Sequence, residues 1–165
     1  LALYAKNDAG EVIPQELVEK INAASKFNQG FMTAELAAAS ILDMRWHELT
    51  SVEGIDVDKF EAQVAKEIGL IPQITYRYQS TYFNHIFGGS GYDSGYYGYL
   101  WSEVLDKDAF SIFQSSPNGV WDKELALKFK KTFLERGGSE EPMVLYHEFA
   151  GRDPQSDAML KARGL

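Results

Sequence analysis

The sequence predicts an all-α fold of about six helices, and three observations carry that expectation. Apolar residues recur at spacings of three and four through most of the 165-residue chain. Asn, Asp, Ser or Pro precedes several of these runs and Gly follows them, which is the punctuation of helix starts and stops. The alternation that marks a strand occurs once and briefly, in LIPQITYRYQ at residues 70–79.

Taken in order, Pro14 suits the first turn of a helix over 14–28, with Leu17, Ile21 and Ala24 on one stripe. The next run, FMTAELAAASILDMRWHEL at 31–49, is apolar on nearly every side. Its Ala37, Ala38 and Ala39 are small enough for neighbouring helices to approach closely, so this helix is expected to be buried all round. Asp56 is placed to cap a third helix carrying Val57, Phe60, Val64 and Ile68, closed by Gly69. Residues 70–79, with Pro72 among them, read as an extended connector. Helical spacing returns over 96–113, with Leu100, Val104, Leu105, Ile112 and Phe113 available for a core. SSPNG at 115–119 is a turn cluster. Asp122 then caps a helix with Leu125, Phe129 and Phe133 spaced by four, stopped by Gly137 and Gly138. Ser139 opens a last helix with Met143, Leu145, Tyr146 and Phe149, in which Pro142 lies early enough that its missing N–H matters little. With no repeat, low-complexity tract or linker, residues 1–165 are expected to form a single domain.

Composition narrows the function classes. Hydrophobic residues make up 45% and charged residues 24%, the balance of a chain with a real core. A net charge of −8 disfavours nucleic acid, whose binding rests on Lys and Arg neutralising phosphates. The absence of cysteine removes disulfide scaffolds, thiolate metal sites and cysteine nucleophiles together, and suits a reducing compartment. No apolar run is long enough to cross a bilayer, and the start lacks the layout of a signal peptide, so no membrane partner is expected. The expected location is cytoplasmic, with the periplasm left open. Since the first residue is Leu, the chain is expected to begin inside something larger.

Two His-Glu pairs, His47-Glu48 and His147-Glu148, begin a zinc-protease pattern and do not complete it. The second imidazole should fall four residues after the first, where Ser51 and Gly151 stand. Both pairs are expected to be plain helix surface or core edge. Gly89-Ser90-Gly91 with Gly95 faintly resembles a dinucleotide-binding turn, but no buried strand precedes it.

The distinctive stretch is HIFGGSGYDSGYYGYLW at 85–101, with four tyrosines and five glycines in seventeen positions. Tyr92, Tyr96 and Tyr99 fall at i, i+4 and i+7, so on a helical backbone they would line one face. Core filling is the plain explanation for aromatic residues at helical spacing. Against it, Tyr97, Leu100, Trp101 and Val104 offer a separate apolar face, so the hydroxyl-bearing side is not needed for packing. Three buried hydroxyls would also each require a partner. The glycines weaken a purely structural helix and suit a loop that bends over a bound chain. A phenol is a hydrogen-bond donor at neutral pH, as a histidine can be, and such donors help most where negative charge develops on an oxygen, as when water attacks a peptide carbonyl.

Five segments, FNQGFMTAELAAASILDMRWH, RYQSTYFNHIFGG, GYDSGYYGYLWSEVLDKDAF, FLERGGSEEPMVLYHEFAGRDP and the closing RGL, together resemble the C-terminal part of the thimet oligopeptidase and dipeptidyl carboxypeptidase family of zinc metallopeptidases. Within that family the bacterial dipeptidyl carboxypeptidase branch is the nearer in pattern. The resemblance implies a chain that is the C-terminal portion of a larger helical catalytic domain, acting on oligopeptides by removing dipeptides from their C-termini. It implies zinc in the full-length enzyme, held by ligands outside this chain along with the general base, and no metal in the fragment, which alone would be inactive. It implies that Tyr99 and His85 donate to the tetrahedral intermediate and that Tyr92 and Tyr96 contact substrate. Six residues, IFGGSG, separate His85 from Tyr92, slightly more than is usual in the mammalian oligopeptidases of the family. Arg77 is a candidate to receive a substrate carboxylate in bidentate fashion, against the plainer reading of a surface arginine. The alternative function is a stand-alone helical peptide-binding module without catalysis. Because the 31–49 helix wants cover on all sides, exposed apolar surface and self-association of the fragment are expected.

Overall fold

The computed structural model describes residues 1–89 and 91–165. Among the described residues the chain is helical with no strand, as the sequence predicts. Its elements are α1 (Gln15–Ser25), α2 (Gln29–His47), α3 (Val57–Glu67), α4 (Asn84–Phe87), α5 (Gly98–Ser115), α6 (Lys123–Phe129), α7 (Pro142–Ala150) and α8 (Asp157–Arg163). Short 3₁₀ turns lie at Ser80–Tyr82 and Gly119–Trp121, and a π-helical turn at Lys130–Leu134 extends α6. Eight helices thus stand where about six were expected. The two additions, α4 and α8, span one and two turns and are too short to display a periodic stripe.

Capping follows the sequence closely. Asp56 accepts the Lys59 N–H at 3.1 Å to start α3, and Asp122 accepts those of Glu124 and Leu125 at 3.1 and 3.0 Å to start α6. Gly69 and Gly151 close α3 and α7. Helix α7 starts at Pro142, with Glu141 before it, so Ser139 does not open it.

Two packing centres organise the chain. In the first, Ala39, Leu42 and Trp46 of α2 meet Val64 of α3, Phe83 and Ile86 around α4, and Tyr96. The Trp46 ring packs tilted against Phe60 with centroids 4.2 Å apart, and its indole N–H donates to the Ser80 hydroxyl at 2.7 Å, so the connector before α4 is tied to α2. In the second, Phe113 of α5, Phe129 of α6, Phe133 of the π turn and Phe149 of α7 form a ring cluster with centroids 5.3 to 6.1 Å apart. Helix α8 joins the two: the Arg163 guanidinium bonds Glu103 of α5 and Thr33 of α2.

Helix α2 is not buried all round. Ala38, Ala39, Ser40, Leu42, Asp43 and Trp46 face inward, while Phe31, Met32, Ile41 and Met44 remain exposed. Helix α1 buries no residue, and its Leu17 and Ile21 are open to solvent. On α5 the expected apolar face is covered only at Leu100 and Val104; Tyr97 and Trp101 are exposed.

The second centre contains a buried charge. Asp108 of α5 receives two guanidinium bonds from Arg152, at 2.6 and 2.9 Å, and the Tyr146 hydroxyl. Burial pushes the Asp108 carboxyl upward, but the bonds from Arg152 and Tyr146 outweigh it and hold the group below the usual carboxylate range. Burial, and then the bond with Asp108, push the Tyr146 phenol up. A depressed carboxylate stabilises the fold fully above its unfolded value, about 4, and the contribution is lost as pH falls through the folded value. Asp108→Asn is therefore expected to lower unfolding free energy by about 3 kcal/mol at neutral pH, since it leaves Arg152 without its anion. Chemical denaturation at pH 7 and below pH 4 checks this: the gap between the two proteins should shrink in acid.

Candidate functional site

Helix α4 is a single turn whose purpose in the fold is to project His85 toward the chain that follows. Its end is tight: Gly88 donates its N–H to the Asn84 carbonyl at 2.7 Å, and a Cβ on Gly88 would lie 2.6 Å from that oxygen. Gly91 then turns the chain at φ +80°, a region that favours glycine. Ser90 between them lies outside the described residues, so the dinucleotide-like turn falls there in part; the segment leading into it is α4, not a strand.

From Tyr92 the backbone runs through consecutive tight turns into α5. Gly95 N–H bonds the Tyr92 carbonyl at 2.8 Å, Gly98 bonds Gly95 at 3.0 Å, and Tyr99 bonds Tyr96 at 3.3 Å. Only Tyr99 of the three spaced tyrosines belongs to the helix itself. Their rings still meet, because three-residue turns return side chains to nearly one face. Tyr92 and Tyr99 stack in parallel, 2° apart with centroids at 5.3 Å. The His85 ring lies 6.0 Å from Tyr92, 5.6 Å from Tyr96 and 6.4 Å from Tyr99, close to edge-on to all three. His85 is half-buried and Tyr99 is 42% exposed, so both lie at the rim of one aromatic nest.

Tyr96 differs. At 3% exposure it belongs to the first packing centre, edge-on to Phe83 at 4.9 Å, so the hydroxyl-bearing side is partly a packing side after all. Burial pushes its phenol up, against the pull of the Arg77 charge. Arg77 is set to one side: its guanidinium carbon lies 5.9 Å from the Tyr78 ring centroid and its Nη1 3.8 Å from Glu35. Tyr78 in turn lies 5.1 Å from His85 and 6.4 Å from Tyr96. The structure therefore gathers His85, Tyr92, Tyr96 and Tyr99 into one cluster and places Arg77 at its margin.

Electrostatics favours a protonated Tyr99. Its hydrogen bond with Tyr92, then burial and the neighbouring phenols, push it up to about 12. It is a standing donor at neutral pH and a poor base.

Three contributors escape the sequence reading. Tyr78 sits in the connector with no spacing relation to the others. Glu35 pairs with Arg77 across the fold. Asp43 is fully buried on α2, where its carboxylate accepts the backbone N–H groups of Ser94 at 3.0 Å and Tyr96 at 2.9 Å. An acidic residue amid ILDM, in the most apolar stretch of α2 and four residues before His47, was the available signal.

Neither His-Glu pair is a metal site. His47 Nδ1 lies 2.9 Å from an Asp43 carboxylate oxygen, and His147 Nε2 bonds Asp153 at 2.6 Å. Among the described residues no group of three His, Asp or Glu side chains is placed to hold a metal ion. The residues of these two pairs do not fit a metal ion.

The profile described as "Peptidase family M3" matches residues 1–165. The chain belongs to peptidase family M3. Among M3 relatives, it is 44% identical to "Dipeptidyl carboxypeptidase" of Escherichia coli over 99% of this chain and 24% of the relative. It is 42% identical to the protein of the same name from Salmonella typhimurium, over 98% of this chain and 24% of that one. "Oligopeptidase A" of Escherichia coli is 37% identical over 96% of this chain and 23% of its own length. The chain thus spans about a quarter of the length of these M3 proteins.

The shared Tyr92–Tyr99 hydrogen bond gives a direct test. At pH 10, where an ordinary phenol is about half ionised, Tyr99 is expected to remain protonated, and Tyr92→Phe is expected to bring its ionisation to lower pH. Carbon-13 NMR of ring-labelled tyrosine, with Tyr99 assigned by Tyr99→Phe, reads both.

Proposed function

We propose that this chain is the C-terminal portion of a zinc-dependent peptidyl-dipeptidase, an enzyme that removes dipeptides from the C-termini of oligopeptides. The observation that carries the reading is the cluster of one histidine and three tyrosines, with an exposed, protonated Tyr99 at its surface, in a chain of the M3 family. The relatives named dipeptidyl carboxypeptidase support the substrate class.

In this proposal the metal ligands and general base lie on polypeptide outside residues 1–165, and zinc would supply Lewis acidity and an activated water. This chain supplies the opposite wall. As water adds to the peptide carbonyl, its oxygen gains negative charge, and the Tyr99 O–H and a His85 ring N–H donate to it. Tyr99 can do so only by giving up its bond with Tyr92, so Tyr92 acts as the resting acceptor and then as a substrate contact. Tyr96, deep in the nest, supports Tyr92 and Tyr99 from beneath. In this proposal Arg77, 47% exposed and bonded to Tyr78, receives a substrate carboxylate.

The test is to produce residues 1–165 alone and within the longer reading frame, and to measure dipeptide release with zinc present. The longer protein is expected to cleave and the 165-residue chain to be inactive. Tyr99→Phe in the longer protein is expected to lower kcat by about 10² to 10³ with KM little changed, the usual loss for one oxyanion donor. Peptide hydrolysis by residues 1–165 alone would overturn this division of roles. Peptide binding without cleavage by the longer protein would favour a binding module instead.

The proposal also has a physical consequence for the isolated chain. Phe31, Met32, Ile41 and Met44 on α2 and Tyr97 and Trp101 on α5 leave apolar area in water, so residues 1–165 are expected to self-associate. Light scattering across a hundredfold concentration range checks this; a constant monomer mass would refute it.

A further inference from the structure

The geometry points to Asp43 as the positioning residue of the tyrosine nest, a carboxylate clamp that fixes where Tyr92, Tyr96 and Tyr99 stand relative to His85. The inference rests on the peptidase reading above for its functional consequence, though not for its structural one.

Asp43 lies on the inner face of α2 with no exposed side-chain area. One oxygen accepts the Ser94 N–H at 3.0 Å and the other the Tyr96 N–H at 2.9 Å, across 51 and 53 residues of sequence. The same carboxylate faces His47, whose Nδ1 lies 2.9 Å from Oδ1 and 2.8 Å from the Asp43 carbonyl oxygen. Both of those oxygens only accept, so Nδ1 carries the proton and His47 braces the clamp. An isolated buried carboxylate is costly, and three N–H donors converging on this one remove that cost while committing the loop to a single placement.

The clamp acts at the point where the loop is least able to hold itself. Ser94 has φ +58°, a left-handed conformation that a residue with a side chain seldom adopts. Such a conformation persists only when the surroundings impose it. From Tyr96 the constraint passes along the backbone in both directions. The Tyr96 carbonyl holds the Tyr99 N–H at 3.3 Å, and the turn from Tyr92 to Gly95 precedes the clamped residue directly. The stacking of Tyr92 on Tyr99 and their approach to His85 therefore depend on a residue whose bonds run to the loop backbone.

Asp43→Asn tests this, because the amide keeps the shape but offers one acceptor oxygen where two N–H groups need one each. In residues 1–165, amide hydrogen exchange at Ser94 and Tyr96 is expected to quicken by about tenfold, the worth of one net backbone hydrogen bond. Amides of α6 and α7 should keep their rates. Unchanged exchange at Ser94 and Tyr96, or equal acceleration everywhere, would overturn the clamp. Should Asp43→Asn fail to fold, His47→Gln carries the same readout: faster exchange confined to Ser94 and Tyr96 upholds the clamp, and none overturns it.

In the longer protein, Asp43→Asn is expected to lower kcat by at least tenfold with KM little changed, and to add little to the loss in Tyr99→Phe, because both act through the same hydroxyl. Additive losses, or an unchanged kcat, would refute a positioning role while leaving the peptidase reading intact. Local exchange changes without peptide cleavage by any variant would uphold the clamp and sink the peptidase reading.

Discussion

A carboxylate with no access to water sits inside a helix built mostly of alanine and aliphatic residues, and the first half of the molecule is arranged around satisfying it. A buried carboxyl group needs hydrogen-bond donors, and Asp43 receives them from a loop about fifty residues later in the chain. That demand draws Ser94 and Tyr96 onto α2. Tyr96 then fills the space beside Ala39, Leu42 and Phe83, and its neighbours Tyr92 and Tyr99 are left at the rim. Polar satisfaction and apolar packing therefore reinforce one placement of the loop, and neither would fix it alone.

The same solution recurs in the other half. Asp108 is buried on α5 as Asp43 is on α2, and its donors, Tyr146 and Arg152, come from α7 and the turn beyond it. Each long helix thus carries one buried acid that dictates which distant segment lies against it. Helix α5 belongs to both halves, bearing Tyr99 in its first turn and Asp108 near its middle. The pairing of Glu103 with Arg163 fastens α8 between them. A displacement of α5 would be felt at both acids and at the tyrosine nest together.

For the proposed chemistry, the division between a buried Tyr96 and an exposed Tyr99 matters more than the number of phenols. An interior ring gives the nest a fixed floor, and the exposed ring carries a phenol, protonated at neutral pH, whose ionisation the bond with Tyr92 pushes further up. The glycines on either side serve the turn itself: Gly88 permits close approach to Asn84, and Gly91 supplies a positive φ. The apolar area left open on α2 and α5 lies outside this nest and is the natural seat for further polypeptide in the proposal.

Much of this was legible in the amino-acid sequence because it is local. Periodicity and capping residues such as Asp56 and Asp122 determine where most helices lie, since a helix satisfies its backbone within a few residues and its caps within three. The tyrosine and glycine pattern is likewise local, and its rings gather into one cluster with His85. Helices α4 and α8 were not legible, because one or two turns are too few to display a repeating apolar stripe, and the exposed side of α2 looked like core because composition does not say which apolar face meets a partner. Only the tertiary structure decided that Tyr96 is interior, that Arg77 stands at the margin with Glu35, and that Asp43 governs the loop. Those outcomes depend on groups thirty to fifty residues apart competing for one buried space, and the sequence alone carries no record of which donor reaches which acceptor.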